Sequence, residues 1–109
     1  EAPPDLIKIR EQQARHQVEY YFSAQNLCHD SFLRSRMDGD GWVSVQDIAE
    51  FPRVQRLGLD AGAVAASMLG SAVVEVSWDK PPRARLRSSE QRSAFPRVDL
   101  DEAAQGQDR

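Results

Sequence analysis

The sequence predicts an α+β fold in which helix dominates. Three observations carry that expectation. Apolar residues recur near a helical period as far as Gly70, the pattern turns to strict alternation from Val73, and Pro and Gly close the segments at short intervals. With 109 residues and 40% apolar content, the chain suffices for one domain around one modest core.

The first helix is expected from about Asp5 to Ser23. Pro3-Pro4 precede it, Asp5 can cap it, and Leu6, Ile7, Ile9, Ala14, Val18 and Phe22 supply the apolar positions, with a break allowed near Gln12. A shorter helix should cover about Cys28 to Met37, followed by a turn at Asp38-Gly-Asp-Gly41 and a short strand at Trp42-Val43. Ser44-x-x-Asp47 reads as the start of the next helix, with a hydroxyl for a free N–H and an acid at the positive end. That helix ends at Phe51, because Pro52 cannot continue it and instead opens a new one through Leu57, closed by Gly58. Asp60 caps a further helix, 61–69, which reads as a buried structural element closed by Gly70. Val74, Val76 and Trp78 then fall on one face of a strand, and Arg83, Arg85 and Arg87 alternate with Ala84 and Leu86 after the connection Asp79-Lys-Pro-Pro82. This order is that of a winged helix-turn-helix with extra N-terminal helices and a small antiparallel β-hairpin as its wing.

Charge is uneven along the chain. The net value is −3, yet residues 80–97 carry +5 and residues 98–109 carry −3. A uniformly basic nucleic-acid binder is therefore excluded, and a local basic segment is not. Residues 1–5 read as a flexible end, 6–97 as the domain and 98–109 as an acidic, disordered tail. The opening Glu-Ala-Pro-Pro, without an initiator Met or a signal-peptide apolar stretch, reads as a piece of something longer. No apolar run spans a bilayer, and the single Cys28 excludes an intramolecular disulfide and a cysteine-based zinc site.

Five of the eight aromatics lie between Tyr20 and Trp42. On a helix Gln17, Tyr20 and Tyr21 share one face, while Val18 and Phe22 share another. The simpler reading makes both tyrosines core residues, Asp30 a first-turn carboxylate and Phe32 core. The functional reading uses a different property of the same groups. A carboxylate accepts two hydrogen bonds at once from vicinal hydroxyls, and a terminal ribose offers such a pair where DNA or an internal nucleotide does not. Aromatics beside it would stack bases, at about 1–3 kcal/mol each.

The stretch Gln17-Val-Glu-Tyr-Tyr-Phe-Ser-Ala-Gln-Asn-Leu27, then Asp30-x-Phe32-Leu33-Arg34, Met37-Asp38, Gly41-Trp42-Val43 and Phe51-x-Arg53-Val54 resembles the La motif over about Gln13 to Val76. Phe-Leu-Arg-x-x-Met-Asp is similar to the La-related protein 1 branch. The resemblance implies a winged helix that holds an RNA 3′ end between its added N-terminal helices and its body. It implies that Gln17 contacts a base or sugar edge and that Tyr20 and Phe32 stack bases. Asp30 would hold the terminal ribose hydroxyls, Tyr21 and Phe51 would complete an aromatic wall, and Asn26 and Arg53 would contribute further contacts. The implied ligand is the 3′ end of poly(A), in cytoplasmic mRNA stability and translation, with translation or poly(A)-binding factors engaged through regions outside this chain. Oligo(U), as in genuine La, is the alternative ligand, although the two-domain clamp with an RNA-recognition motif is not contained in this sequence. Leu57-Gly-Leu-Asp60 departs from the family in lacking the Thr before Asp60, and Cys28-His29 take no role.

Other classes fare worse. Helix 61–69 carries none of the Arg, Lys, Asn or Gln that a DNA-reading helix aims at base edges. Catalysis is not expected, since adjacent Cys28 and His29 make a poor nucleophile and base, and His16 is the only other histidine. No cofactor or metal is expected, because Asp38-Gly-Asp-Gly lacks the later acids of a calcium loop. A protein-interaction winged-helix module is the remaining rival, through exposed tyrosines or the Arg83/Arg85/Arg87 face. Those arginines read either as a solvated strand face or as diffuse attraction for phosphates. A monomer is the expected state.

Overall fold

Helices with one short strand among them fill the chain as far as Ser67, and a hairpin and a last helix follow, in a computed structural model that describes residues 3–99. Helix α1 spans Pro4–Tyr21. It starts one residue before the expected point because Pro4 presets the helical φ and has no N–H to leave unpaired. Asp5 consequently sits inside the first turn, where the helix dipole favours it, and does not cap.

The helix expected over Cys28–Met37 is the shorter α3, Ser31–Ser35, and a separate short helix that the sequence reading did not expect, α2 at Ala24–Leu27, precedes it. Side-chain caps reset the chain twice. Ser23 Oγ accepts from the Asn26 N–H at 3.2 Å, and Asp30 Oδ1 accepts from the Leu33 N–H at 3.0 Å. Asp30 is thus the cap of α3, where a first-turn position was expected. Strand β1 covers Val43–Ser44, one residue later than Trp42-Val43, and leads into α4 at Val45–Glu50. Ser44 precedes α4 without a side-chain cap bond, and Asp47 turns to Arg36 at 3.2 Å. Helix α5 spans Pro52–Gln55. Helix α6 spans Ala61–Ser67, where the Ala63 N–H donates to Asp60 Oδ1 at 2.8 Å, so the cap forms without the family's Thr.

Strands β2, Val74–Ser77, and β3, Arg83–Leu86, form the hairpin, and β3 is central in the order β1-β3-β2. All pairs are antiparallel, with Val43 and Val76 both opposite Ala84. Val74, Ala84 and Leu86 face the core, so the arginines take the outer face as the alternation predicts. Trp78 lies beyond the end of β2 and is 52% exposed. The core joins Val18 and Phe22 of α1 to Leu27, Leu33, Ile48, Val54, Val64, Met68 and Val74, each buried side chain contributing about 1.5–3 kcal/mol. Helix α6 packs against α1 and α4 through Val64, Ala65 and Met68. It is half-buried where full burial was expected, because Gly62, Ala66 and Leu69 point outward.

One helix went unanticipated, α7 at Ser89–Ala94, with Ser88 Oγ accepting from the Gln91 N–H. Arg92 Nη1 donates to the carbonyls of Leu86 and Arg87, and Arg34 Nε donates to the Pro96 carbonyl at 2.9 Å. The Arg34 guanidinium also lies over the Phe95 ring. The basic segment is therefore docked onto the body. Residues 100–109 of the expected tail, and Glu1 and Ala2 of the expected flexible end, lie outside the described residues.

Candidate nucleic-acid interface

Proline sets the position of the central aromatic. The residue before a proline is pushed to extended backbone, and Phe51, before Pro52, has φ −63° and ψ 137°. This turn between α4 and α5 presents the Phe51 ring to two others. Tyr21 meets it edge-on at 5.3 Å between centroids, and Phe32 at 6.2 Å. The Arg36 guanidinium lies 5.6 Å from the Phe32 ring centre. Phe32, Arg36, Asp47, Glu50, Phe51 and Pro52 line a cleft of about 270 Å³.

Asn26 ties this wall to the acid. Its Nδ2 donates to the Tyr21 carbonyl at 2.8 Å and to Asp30 Oδ2 at 2.9 Å. One amide thus joins the end of α1, helix α2 and the cap of α3. With Leu33 N–H on the other oxygen, the Asp30 carboxylate is held in one orientation and is 3% exposed.

The two tyrosines divide the work expected of a shared face. Tyr21 is 3% exposed and belongs to the core, whereas Tyr20 is 36% exposed. Gln17 and Arg53 lie on a second cleft, of about 450 Å³, with Ile9, Gln12, Gln13, His16 and Leu57. Gln17 is half-buried, and its Nε2 has no hydrogen-bond partner among the described residues. Tyr21, Asn26, Asp30, Phe32 and Phe51 are therefore brought together, and Gln17 and Arg53 share a neighbouring cleft.

Sequence reasoning missed Ile9, Gln13, His16 and Leu57. The helical spacing of Gln13 and Gln17 could have pointed to the α1 side; nothing local points to Leu57.

The hairpin arginines are engaged within the protein. Arg83 pairs with Asp38 and Asp79, each at 3.2 Å; Arg85 pairs with Glu75 at 2.7 Å; Arg87 reaches Glu75 at 3.9 Å and donates to the Ser71 carbonyl. The Trp42 ring lies under both Arg83 and Arg85, the latter 4.3 Å away. Cys28 Sγ and His29 Nδ1 are 3.9 Å apart on the surface. Among the described residues, no group of three or more His, Cys, Asp or Glu could hold a metal ion. No helix there is long and apolar enough to cross a membrane.

The hairpin wing behind a helical body, with extra helices leading into it, defines a winged-helix domain. A solved structure, the La autoantigen N-terminal domain, is similar to it with a TM-score of 0.66 at 30% identity, covering 72% of this chain and 86% of that one. Residues 14–69 match the La domain family, a stretch that contains all eight candidate residues. The chain belongs to the La domain family.

Among relatives, it is 41% identical over 73 residues to La-related protein 1B of Arabidopsis thaliana, covering 59% of this chain and 16% of that protein. It is 40% identical over 68 residues to the Lupus La protein homolog of Mus musculus, covering 60% and 16% respectively. A La RNA-binding domain-containing protein of Cryptococcus neoformans is 47% identical over 64 residues, covering 59% of this chain and 7% of the relative. The matched region is a small part of each relative's length.

Proposed function

We propose that this La domain captures the 3′ end of single-stranded RNA, with Asp30 accepting hydrogen bonds from the 2′ and 3′ hydroxyls of the last ribose. The observation that carries this reading is the carboxylate held by Asn26 and the Leu33 N–H beside the three-ring wall of Tyr21, Phe32 and Phe51. A carboxylate is an acceptor-only group that can receive two vicinal hydroxyls at once, and a fixed one has little orientation left to lose on binding. Because Asp30 is 3% exposed, the side chains over it must give way as RNA enters. Tyr20 and Phe32 stack the last bases, Gln17 meets a base or sugar edge, and Arg53 faces a phosphate.

The ligand we favour is the 3′ end of poly(A), which places the protein in cytoplasmic mRNA stability and translation, with translation or poly(A)-binding factors as partners of the longer protein. The support is the similarity of Phe32-Leu-Arg-x-x-Met-Asp38 to the La-related protein 1 branch, together with the match to La-related protein 1B. A competition titration tests it. Oligo(A) with a free 2′,3′ diol should bind at least about tenfold tighter than the same oligomer ending in 3′-phosphate, as expected when charge-assisted hydrogen bonds are lost. Equal affinity for both ends would refute end capture. A stronger preference for oligo(U) would keep end capture and replace the base assignment.

A further inference from the structure

The cleft between α1 and α5 extends well past the residues assigned to the terminal nucleotide. Arg10, Gln13, Gln17 and Tyr20 follow one another at i, i+3, i+7 and i+10, so they form one stripe along α1. From Tyr20 to Gln13 the helix rises roughly 10 Å, and stacked nucleotides advance about 3.4 Å each, so the stripe is long enough for further nucleotides. Ile9 and Leu57 supply apolar surface to the cleft, Gln12, Gln13 and Gln17 supply amides, and His16 supplies a ring. Gln17 Nε2 has no hydrogen-bond partner among the described residues and is a donor for this cleft. Arg53 on the opposite wall is exposed and makes no ion pair among the described residues, in contrast to the paired arginines of the hairpin.

We propose that this cleft is a second RNA subsite, which takes a nucleotide upstream of the captured 3′ end and uses Gln13 and His16 as contacts of its own. It rests on the end-capture reading for the direction of the strand. The base lies on the Ile9 and Leu57 surface with its edge toward the amides of Gln13 and Gln17, whose paired donor and acceptor suit adenine. His16 packs on the base, and Arg53 meets the phosphate between this nucleotide and the terminal ones. The acidic balance of the chain is no obstacle, because only one unpaired cation is required locally.

The test is an anisotropy titration of oligo(A) two and six nucleotides long, each with a free diol, on the wild type and on a Gln13→Ala/His16→Ala variant. Both side chains are exposed, so the variant should keep the wild-type melting temperature. The wild type should bind the six-mer about tenfold or more tighter than the two-mer, the scale of one stacked base. The variant should keep its two-mer affinity and lose most of that gain. A gain that survives in the variant, a wild type with no gain, or an equal loss on both lengths would each overturn the subsite. A six-mer ending in 3′-phosphate separates the two readings. If it binds the wild type as well as the diol does while the variant still loses the length gain, end capture fails and the cleft stands.

Discussion

At the scale of single residues, one side chain is asked to do two things. Asp30 caps α3 through Oδ1 and holds Asn26 through Oδ2, and it is also the proposed ligand of the ribose diol. Asp30→Ala therefore confounds binding with folding, since loss of a cap costs about 0.5–2 kcal/mol. Asp30→Asn keeps a capping oxygen for the Leu33 N–H and removes the charge, but it sets an amide NH2 against Asn26 Nδ2, so its melting temperature is measured beside its binding. The adjacent tyrosines make a second contrast. Tyr21→Ala empties a core position and should destabilise by about 3–5 kcal/mol. Tyr20→Ala should shift stability by less than about 1 kcal/mol and weaken RNA binding by about 1–3 kcal/mol. Urea melts beside binding titrations check both; a Tyr20 variant with full affinity would remove it from the interface.

At the scale of elements, the hairpin and the first helix were legible because each has an uninterrupted period, Val74/Val76 against Ala84/Leu86 in one and Ala14/Val18 in the other. The separate helix α2 and the late start of α3 were not. They depend on Ser23 and Asp30 each capping a helix, and a cap competes with a continuous helix on margins of about 1 kcal/mol. The basic segment was legible as charge, but its partners were not. Glu75 lies ten residues from Arg85, and Asp38 lies forty-five from Arg83.

Because these arginines are paired within the fold, Arg85→Ala should act on stability. Its bond to Glu75 and its packing on Trp42 are together worth about 1–2 kcal/mol, both groups being partly exposed. The slope of log affinity against log salt should stay unchanged in that variant. Arg53→Ala should do the reverse, with stability kept and the slope shallower by about 0.7 for a single-strand contact. A reduced slope for Arg85→Ala would place the wing on RNA.

At the scale of the molecule, a net charge of −3, with Arg53 the one Lys or Arg lining the cleft among the described residues, agrees with the proposed reading of a short end better than with a long phosphate track. Whole-domain affinity should therefore depend weakly on salt, with a slope no steeper than about −2 for single-stranded RNA. The winged-helix order was readable from the succession of periods. The candidate residues were readable as a motif, yet their geometry was not, since Phe51 reaches Tyr21 and Phe32 only after α4 and α5 have packed on α1. The docking of α7 came from Arg92 and Arg34 finding backbone carbonyls, an outcome no local pattern encodes.

The central claim is a direct contact between one carboxylate and one sugar end, so a thermodynamic cycle tests it best. Affinities would be measured for wild type and Asp30→Asn, each with oligo(A) ending in a 2′,3′ diol and with the same oligomer ending in a 2′,3′-dideoxy sugar. Coupling of about 1.5–3 kcal/mol between the side-chain change and the loss of the hydroxyls is the predicted result, with the variant indifferent to the end. Additive losses, with the variant still preferring the diol as strongly as wild type, would contradict a carboxylate–ribose contact and leave Asp30 a structural residue that caps α3 and holds Asn26.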